Sequence, residues 1–540
     1  MTTFHIQQFG CRATQADGAA IERQLLDRGY TATHHPSAAA IVVLNTCTVT
    51  AAADAQARDA IRKLHAQNPA AKLIVTGCYA QRAPEELASL PGVTWVVGNS
   101  HKPQIPDLLT QIAPAARVLL HVAVPLHEVE ATIPDRDEAI VPNGEESRVP
   151  ERVEATGLPD VEKTVIPSEA RNLLFLSVPL HTNSPHAQIL TGDIFAHPEF
   201  LSAPIQGGEL HHTRPILKIQ DGCNLRCTYC IIPSVRGKSR SLPPDAVINE
   251  VRQLAGQPIL AVHSPSARPC SSAAKEIVLS GINLGTYGRD LTPRTSFPDL
   301  LCRILAETKL DRLRISSIEP QDVTQDLIDL VASTGRIARH FHMPLQSASN
   351  KILSAMHRRY RIAQYAARFD RIYAQLPNAA IGADVIAGFP GETEQDHAAT
   401  LSFIEQHPFT YLHVFSYSPR PGTKAASHPD QLPASTIKRR ARELRSLSES
   451  KSAAFRHSQI GRTLRVLTLH SDKHSLNEQT AAAYTPALSS NYLRVQVPGI
   501  FPSNQWLDIV IKSEQGNYLL GEHASTLCES SVHSTSLRYP

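Results

Sequence analysis

A chain of 540 residues exceeds what one ordinary hydrophobic core organises, so its length predicts two to four domains. Its 42% hydrophobic and 19% charged residues are typical of a soluble globular protein. The net charge of +3 neither requires nor excludes a nucleic-acid partner, because a local basic face matters more than the total. No apolar run approaches the ~20 residues of a membrane span and the first residues are polar, so we expect no signal peptide, no membrane and a cytoplasmic location.

Residues 1–118 alternate helical patterns with short strand-like segments, at 4–7, 41–44, 72–76 and 95–98. The continuous apolar run at 41–44 is expected of a parallel strand that is covered on both faces. The alternation of strand and helix predicts an N-terminal domain of the α/β class, built on a doubly wound parallel sheet.

Three cysteines, Cys11, Cys47 and Cys78, each lie just past the carboxyl end of one of these strands. In an open parallel sheet those ends share one edge, where ligands bind. The three thiolates would therefore converge, and thiolates are the preferred ligands of iron–sulfur clusters. We predict a cluster held by three cysteines with one iron left open. The alternative is three independent buried cysteines.

The next segment, residues 119–208, is proline-rich and acidic and shows little periodicity. Such a composition buries too little apolar surface to offset the entropy of ordering the chain. We therefore predict a linker or insertion that is largely disordered.

A second set of cysteines, Cys223, Cys227 and Cys230, has the spacing C-x3-C-x2-C and follows an apolar strand at 215–220. A short loop with this spacing can wrap three thiolates around one [4Fe–4S] cluster, leaving the fourth iron for a ligand that is not protein. The alternatives are a zinc site completed from elsewhere and incidental buried thiols. Zinc sites usually show paired C-x2-C units, which disfavours zinc.

This loop resembles that of the radical S-adenosylmethionine (SAM) enzymes, in which the open iron binds SAM. The residues that follow it, 231–233 and 236–241, narrow the resemblance to the methylthiotransferases, which insert a methylthio group into a tRNA adenosine or a ribosomal protein. The resemblance implies SAM and two [4Fe–4S] clusters. The ligands would be Cys223, Cys227 and Cys230 for the SAM-cleaving cluster, and Cys11, Cys47 and Cys78 for the second cluster.

The residues around the first three cysteines, 10–12, 45–50 and 76–81, resemble one branch of that family. Its members modify N6-threonylcarbamoyladenosine at position 37 of tRNA. Two sister branches are the competing interpretations: one acts on N6-isopentenyladenosine and usually carries Gln after the first cysteine, where this chain has Arg12, and the other acts on an aspartate of a ribosomal protein. A more remote alternative is an RNA-binding protein whose clusters sense redox state.

From 209 to 457, repeated strand and helix patterns predict a partial TIM-like (β/α) barrel. Sites in such barrels form at the carboxyl ends of the strands. The resemblance implies that residues there bind SAM: Tyr229, Gly281, Ser317, Glu319, Gln346 and Asp384. For Asp384, a buried carboxylate that needs a partner, a structural salt bridge, to Arg314 for example, is the alternative. His342 is either a proton donor or a satisfied barrel histidine, and we favour the second interpretation. We expect Cys302 to lie in the core.

Residues 458–523 contain short strands, expected at 464–469, 492–497, 507–511 and 518–521, with an irregular middle at 471–485. This pattern is typical of small β-barrels that bind oligonucleotides, and it resembles a TRAM domain. A tail at 524–540 is expected to be disordered.

A basic helix at 437–457 precedes that barrel, and we name Arg439, Arg440 and Arg462 as candidate RNA contacts. The alternative is a solvated helix of mixed charge, since acidic residues interleave. The implied partners are the anticodon loop of tRNA, an electron donor such as flavodoxin or ferredoxin, and a sulfur donor. We expect a monomer.

Overall fold

The computed structural model describes residues 2–110, 187–196, 201, 203, 205–207, 212–257, 273–470, 475–476 and 483–524. In chain order they form a parallel α/β sheet, a partial (β/α) barrel and a small closed β-barrel, which confirms the predicted fold class. Most of the predicted linker at 119–208, and the predicted tail beyond 524, lie outside the described residues. Among the helices that are described, none has the length and apolar character needed to cross a bilayer.

The N-terminal unit consists of β1 (Thr3–Gln8), α1 (Arg12–Asp27), β2 (Thr31–Ala32), β3 (Ile41–Thr46), α2 (Ala51–Gln67), β4 (Lys72–Gly77), α3 (Cys78–Arg82), α4 (Pro84–Ala88), β5 (Val93–Gly98), α5 (Ile105–Thr110) and β6 (Gln188–Leu190). The strands pair in parallel in the order β2-β1-β3-β4-β5-β6. All six residues of β3 are buried, and the first four alternate between two hydrophobic cores, one on each side of the sheet. Ile41 and Val43 face α1 and α5, whereas Val42 and Leu44 face α2 and α4. The sheet is therefore covered on both sides, as the apolar run at 41–44 predicts.

The sixth strand of this sheet was not expected from the sequence. β6 lies within the predicted linker, yet it pairs with β5, and Trp95 Nε1 donates a hydrogen bond to Gln188 Oε1 at 3.1 Å. A strand of three residues, only partly buried, leaves too short a pattern to detect in the sequence.

The central unit consists of β7 (Ile205–Gly207), β8 (His212–Lys218), β9 (Gln220–Asp221), α6 (Ile232–Arg236), β10 (Arg240–Ser241), α7 (Pro244–Leu254), β11 (Glu276–Ser280), α8 (Phe297–Glu307), β12 (Arg312–Ile315), α9 (Gln325–Ser333), β13 (His340–His342), α10 (Asn350–Ala355), α11 (Ile362–Gln375), β14 (Ala380–Ala387), α12 (Glu394–Gln406), β15 (Tyr411–Ser416) and α13 (Ala434–His457). Strands β8, β11 and β12 are parallel, as are β13, β14 and β15. Parallel bridges between Leu313 and Ile337 and between Ser317 and His342 join the two groups into one curved sheet. Cys302 is exposed, contrary to expectation, because its neighbours Leu300 and Leu301 occupy the buried face of α8.

The C-terminal unit consists of β16 (Thr463–Thr468), β17 (Ser475–Leu476), β18 (Ala483–Ser489), β19 (Arg494–Pro498), β20 (Trp506–Gln515) and β21 (Tyr518–His523). Pairing of β16 with both β20 and β18 closes a five-stranded barrel. The short strand β17 pairs with the beginning of β18. Strand β18 was not expected, since Pro486 interrupts its pattern and Pro is unusual inside a sheet.

A buried carboxylate, Glu276, ties the central barrel to the C-terminal barrel. Its side chain is fully buried and forms ion pairs with Arg214 at 3.0 Å, with Arg314 at 2.8 Å and with Arg312. Arg314 also donates hydrogen bonds to the carbonyl oxygens of Ser489 at 2.9 Å and Ser490 at 3.1 Å. Burial alone would raise the pKa of Glu276, but the arginines hold it well below the usual range. The carboxylate therefore orients the guanidinium groups that hold the C-terminal loop.

Replacing Glu276 with Ala would leave buried guanidinium groups without their counter-charge. The expected loss in the free energy of unfolding is about 3–5 kcal/mol. Urea denaturation followed by the fluorescence of Trp506, whose ring lies under the Arg312 guanidinium at 4.3 Å, measures it. The control is Asp59→Ala, which breaks an exposed pair with Arg62 and is expected to cost about 0–1 kcal/mol. Equal losses for the two variants would contradict the assigned role of Glu276.

Candidate functional site

One cavity of about 630 Å³ lies at the carboxyl ends of the barrel strands, and all three units line it. The N-terminal unit contributes Cys11 and Arg12, and the C-terminal barrel contributes Tyr492. All six residues that the resemblance assigned to SAM also line the cavity: Tyr229, Gly281, Ser317, Glu319, Gln346 and Asp384. The structure thus brings together residues that are far apart in sequence.

The loop that carries Cys223, Cys227 and Cys230 forms part of the cavity wall. Gly222, just before it, has a φ of +71°, and a Cβ there would lie 2.0 Å from the Lys238 carbonyl oxygen, so only glycine fits. Burial, and then the neighbouring Cys227 thiolate, raise the pKa of Cys230 to about 12. The Cys230 thiol therefore keeps its proton at neutral pH, and a metal that binds it would displace that proton.

Hydrogen-bond donors point at the sulfur atoms of this loop. The backbone N–H of Leu225 lies 3.4 Å from Cys223 Sγ, and Asn283 Nδ2 lies 3.8 Å from the same atom. Arg358 Nη1 lies 3.5 Å from Cys227 Sγ. Three convergent thiols surrounded by N–H donors fit the requirements of an iron–sulfur cluster, whose sulfur atoms accept such bonds.

The other three cysteines also come together. Cys11 is the N-cap of α1, Cys47 follows β3 and Cys78 begins α3. Burial raises the pKa of Cys47 to about 12, and the nearby Cys78 and Cys11 thiolates add to the effect. A Cβ on Gly10, whose φ is +109°, would lie 2.5 Å from Cys47 Cβ, so glycine permits this close approach. Asn99 Nδ2 donates to Cys78 Sγ at 3.5 Å.

A buried ion network lies between the two cysteine sets. Asp17 and Lys102 come from the N-terminal unit, and Lys218, Asp221 and Arg236 from the barrel. Arg236 bridges Asp17 at 3.0 Å and Asp221 at 2.9 Å, Lys102 contacts Asp17 at 2.9 Å, and Lys218 contacts both aspartates. Burial raises the pKa of Asp17, but Lys102, Lys218 and Arg236 outweigh it and hold the pKa at about 2. With three cations and two anions, the network favours negative charge nearby.

Two further groups in the cavity are positioned to meet a ligand. Gln346 adopts φ +60°, a strained conformation for a residue with a side chain, and its buried Oε1 has no hydrogen-bond partner among the described residues. Glu319 is ion-paired with Arg358, which sequence reasoning missed, since it lies just after a helix in a run of basic residues without a motif. Burial raises the pKa of Glu319 although Arg358 lowers it. Orphaned acceptors and strain of this kind mark binding sites.

A chain of hydrogen bonds forms the wall that contains Asp384. His340 Nε2 lies 2.7 Å from the Tyr411 hydroxyl, which lies 2.9 Å from His342 Nδ1. His342 Nε2 and His413 Nδ1 contact the same oxygen of Asp384, at 2.9 and 3.2 Å. Burial raises the pKa of Asp384, but the two imidazoles outweigh it and lower the pKa. Burial lowers the pKa of His340 well below its usual value, so that ring is neutral.

These contacts bear on two expectations from the sequence. Asp384 is hydrogen-bonded to His342 and His413 rather than paired with Arg314, which contacts Glu276. His342 is hydrogen-bonded through both ring nitrogens, as expected, and it also lines the cavity. Tyr411 was missed, although its two-residue spacing from His413 on one strand was a usable signal.

The C-terminal barrel reaches the cavity through Tyr492. Its ring stacks on His340 with centroids 4.5 Å apart, and the Arg314 guanidinium lies 5.3 Å from its centroid. Tyr492 has a φ of +66° at the end of a turn that Ser489 closes by accepting from the N–H of Leu493 at 2.9 Å. Sequence patterns could not place this tyrosine in the site, because the contact depends on how two units pack.

The three predicted RNA contacts differ in their surroundings. Arg440 is only 2% exposed and is paired with Glu392 at 2.7 Å and Glu394 at 2.8 Å, so its prediction as a phosphate contact is corrected to a structural role. Arg439 is half-exposed but paired with Glu394 and Glu443. Arg462 is exposed and lines a second groove, of about 790 Å³. That groove lies between the central and C-terminal barrels, and its other exposed cations are Lys309, Arg339 and Arg465.

Two family models match parts of this chain. Residues 3–98 match the uncharacterized protein family UPF0004, and residues 217–404 match the radical SAM superfamily. Among solved structures, the radical S-adenosylmethionine methyltransferase TsrM from Kitasatospora setae, with cobalamin and a [4Fe-4S] cluster bound, matches with a TM-score of 0.49 at 13% identity, over 79% of this chain and 77% of that chain.

Curated relatives match over nearly the whole chain. The threonylcarbamoyladenosine tRNA methylthiotransferase MtaB of Bacillus subtilis is 31% identical, over 92% of this chain and 91% of its own length. The MtaB protein of Aquifex aeolicus is 32% identical, over 86% of this chain and 93% of its own. The tRNA-2-methylthio-N(6)-dimethylallyladenosine synthase of Syntrophobacter fumaroxidans is 30% identical, over 88% and 87%.

The partial barrel, its three-cysteine loop and the superfamily match define a radical SAM enzyme. With relatives of this identity and coverage, the chain belongs to the radical SAM tRNA methylthiotransferase family. Membership implies a [4Fe–4S] cluster, SAM and a tRNA substrate.

Proposed function

We propose that this enzyme methylthiolates C2 of N6-threonylcarbamoyladenosine at position 37 of tRNA. The observation that carries this substrate is the polarity of the cavity wall opposite the cysteine loop. Three imidazoles, two phenols and a carboxylate form it, and Arg12 lies close enough to influence His340 and Tyr411. The relatives at 31% and 32% identity carry the matching name.

Such a wall suits a threonylcarbamoyl group better than an isopentenyl group. The threonylcarbamoyl group brings N–H donors, carbonyl and hydroxyl oxygens, and a carboxylate that the charge of Arg12 favours. An isopentenyl group would offer no partner to the buried His340 Nδ1, which has none among the described residues, and no charge to match Arg12. Sites built to hydrogen-bond a substrate reject an analogue that lacks those groups, because their own polar atoms are left unpaired.

We assign Cys223, Cys227 and Cys230 to the cluster that binds SAM. When bound, the cluster and SAM would supply radical chemistry, which is needed because C2–H of adenine is not activated for acid–base chemistry. The chain itself holds SAM: Glu319 and Gln346 offer acceptors to its polar groups, and Tyr229 forms an aromatic wall against Phe389, 6.4 Å between centroids. A Cβ on Gly281 would lie 2.9 Å from Leu284 Cδ2 and 3.0 Å from Gln220 Oε1, so a larger residue would require these side chains to shift.

We assign Cys11, Cys47 and Cys78 to a second [4Fe–4S] cluster, which would supply the sulfur. Cys11 lines the same cavity as Cys223, so one substrate carbon lies within reach of both sets. The positive ion network behind Cys11 and Cys78 favours a cluster of negative charge, since Arg236 interacts electrostatically with both thiolates.

For the tRNA, we propose the small C-terminal barrel as a TRAM-like RNA-binding domain. Phosphates would contact the exposed cations of the second groove, which are Lys309, Arg339, Arg462 and Arg465. Arg439 on α13 is a further candidate phosphate contact. An anticodon-loop base is single-stranded and is easily splayed into a pocket. The same proposal includes a cytoplasmic monomer that receives electrons from flavodoxin or ferredoxin and sulfur from a donor.

Triple alanine variants test the two cluster assignments. Replacing Cys223, Cys227 and Cys230 is expected to halve the iron bound after anaerobic reconstitution and to abolish formation of 5′-deoxyadenosine from SAM. Replacing Cys11, Cys47 and Cys78 is expected to halve the iron while SAM cleavage persists and methylthiolation stops. Iron analysis measures the cluster content, and chromatography of the products measures SAM cleavage and methylthiolation. Parallel loss of both activities in the two variants, at equal iron content, would contradict separate clusters.

Nucleoside mass spectrometry of tRNA tests the substrate. Deleting the gene is expected to remove 2-methylthio-N6-threonylcarbamoyladenosine, and the parent gene but not Cys227→Ala is expected to restore it, because this thiol is a proposed ligand of the SAM-binding cluster. Loss of the methylthio-isopentenyl nucleoside instead would assign the protein to the sister branch. No change in any methylthio nucleoside would reject a tRNA substrate.

A further inference from the structure

The edge strand β15 carries three ring-bearing residues on one face. Tyr411, His413 and Phe415 occupy alternate positions, whereas Leu412 and Val414 between them pack toward α13 and the core. In the described part of the chain, β15 pairs with no strand other than β14, and α13 covers its other edge, where Ser448 Oγ accepts a hydrogen bond from the N–H of Leu412 at 2.9 Å. The three rings follow one another along one face of this last strand of the sheet.

This row of rings leads out of the catalytic cavity. Tyr411 and His413 line the cavity, and their ring centroids are 5.2 Å apart. Phe415 follows two residues later, about 7 Å farther along the strand. It is 44% exposed and is a large apolar side chain that the described residues leave open to solvent. The rings thus extend from the target site to the surface.

Charged side chains lie beside the first two rings of the row. A groove of about 480 Å³ shares Tyr411 and His413 with the cavity and also contains Arg456, the exposed Arg494 and the exposed Glu449. Arg456 is partly offset by Glu514 at 3.9 Å, whereas Arg494 forms no ion pair among the described residues. Aromatic side chains next to cations are how proteins bind single-stranded nucleic acid without reading its sequence.

We propose that Phe415 is a stacking platform for a nucleobase adjacent to the target nucleotide. When one base enters the cavity, its neighbour in the strand lies near the mouth, where Phe415 offers an apolar ring face. The proposal rests on the proposed function only in requiring that the target be a tRNA base. It is independent of which group that base carries at N6.

Binding of an anticodon stem-loop to the reconstituted full-length protein, without SAM, tests this platform. By fluorescence anisotropy, Phe415→Ala is expected to weaken binding about 5- to 150-fold, the range for loss of one base–aromatic stack, and Phe415→Trp to retain it. The matched control is Tyr373→Ala, since Tyr373 is also 44% exposed but lies on helix α11 and not on the strand that carries Tyr411 and His413. It is expected to bind like the parent.

Two stem-loops identify the base that stacks on Phe415. Each carries one abasic site, at one of the two positions that flank the target nucleotide. One of the two abasic sites is expected to weaken binding by the parent protein but not by Phe415→Ala, because the stack is already lost. Additive losses at both positions, or parent-like binding by Phe415→Ala, would overturn the proposal. Should the parent convert isopentenyl and not threonylcarbamoyl stem-loops, the proposed substrate fails while the stacking comparison still stands.

Discussion

The arrangement of this enzyme depends on a buried ion network that joins two separate units. Asp17 and Lys102 from the N-terminal unit meet Lys218, Asp221 and Arg236 of the barrel, and all five side chains are nearly inaccessible to water. Removing charges from water is costly and is offset only when pairing geometry is good. A sliding of the two units would leave several charges unpaired, so the network specifies one relative position.

That position places two sets of thiols around one space. Asp17 follows Cys11 by less than two helical turns, and Asp221 precedes Cys223 by two residues. Each end of the network thus anchors the segment that carries a cysteine. Glu276 plays the corresponding role at the other end of the barrel, where its arginines hold the loop that delivers Tyr492 to the cavity. A reaction that requires the three units at fixed relative positions therefore depends on the buried ion network and on Glu276 with its arginines.

Much of the site could be predicted from the sequence because its residues occupy fixed topological positions. Cysteines after parallel strands converge at one edge, and a C-x3-C-x2-C loop brings its thiols together by spacing alone. The contacts that could not be predicted join residues distant in sequence: Asp17 with Arg236, Glu319 with Arg358, and Tyr492 with His340. These pairings depend on how distant segments pack together, and local sequence patterns carry no information about that packing. The burial of Arg440 could not be predicted for the same reason, because the sequence of a basic helix does not show which of its faces is covered.

The most direct test of this account is the yield of 5′-deoxyadenosine per methylthio nucleoside in Asp17→Asn. Asparagine keeps the size of the side chain but removes the charge that holds Arg236, Lys102 and Lys218 together. With iron content retained, the account predicts that SAM cleavage continues while methylthiolation falls, raising the ratio roughly tenfold or more, because a displacement near 1 Å is enough to disrupt such alignment. Asp59→Asn, at an exposed position on α2, is the control. An unchanged ratio in folded, iron-loaded Asp17→Asn would contradict the claim that the network sets the register of the two cysteine sites.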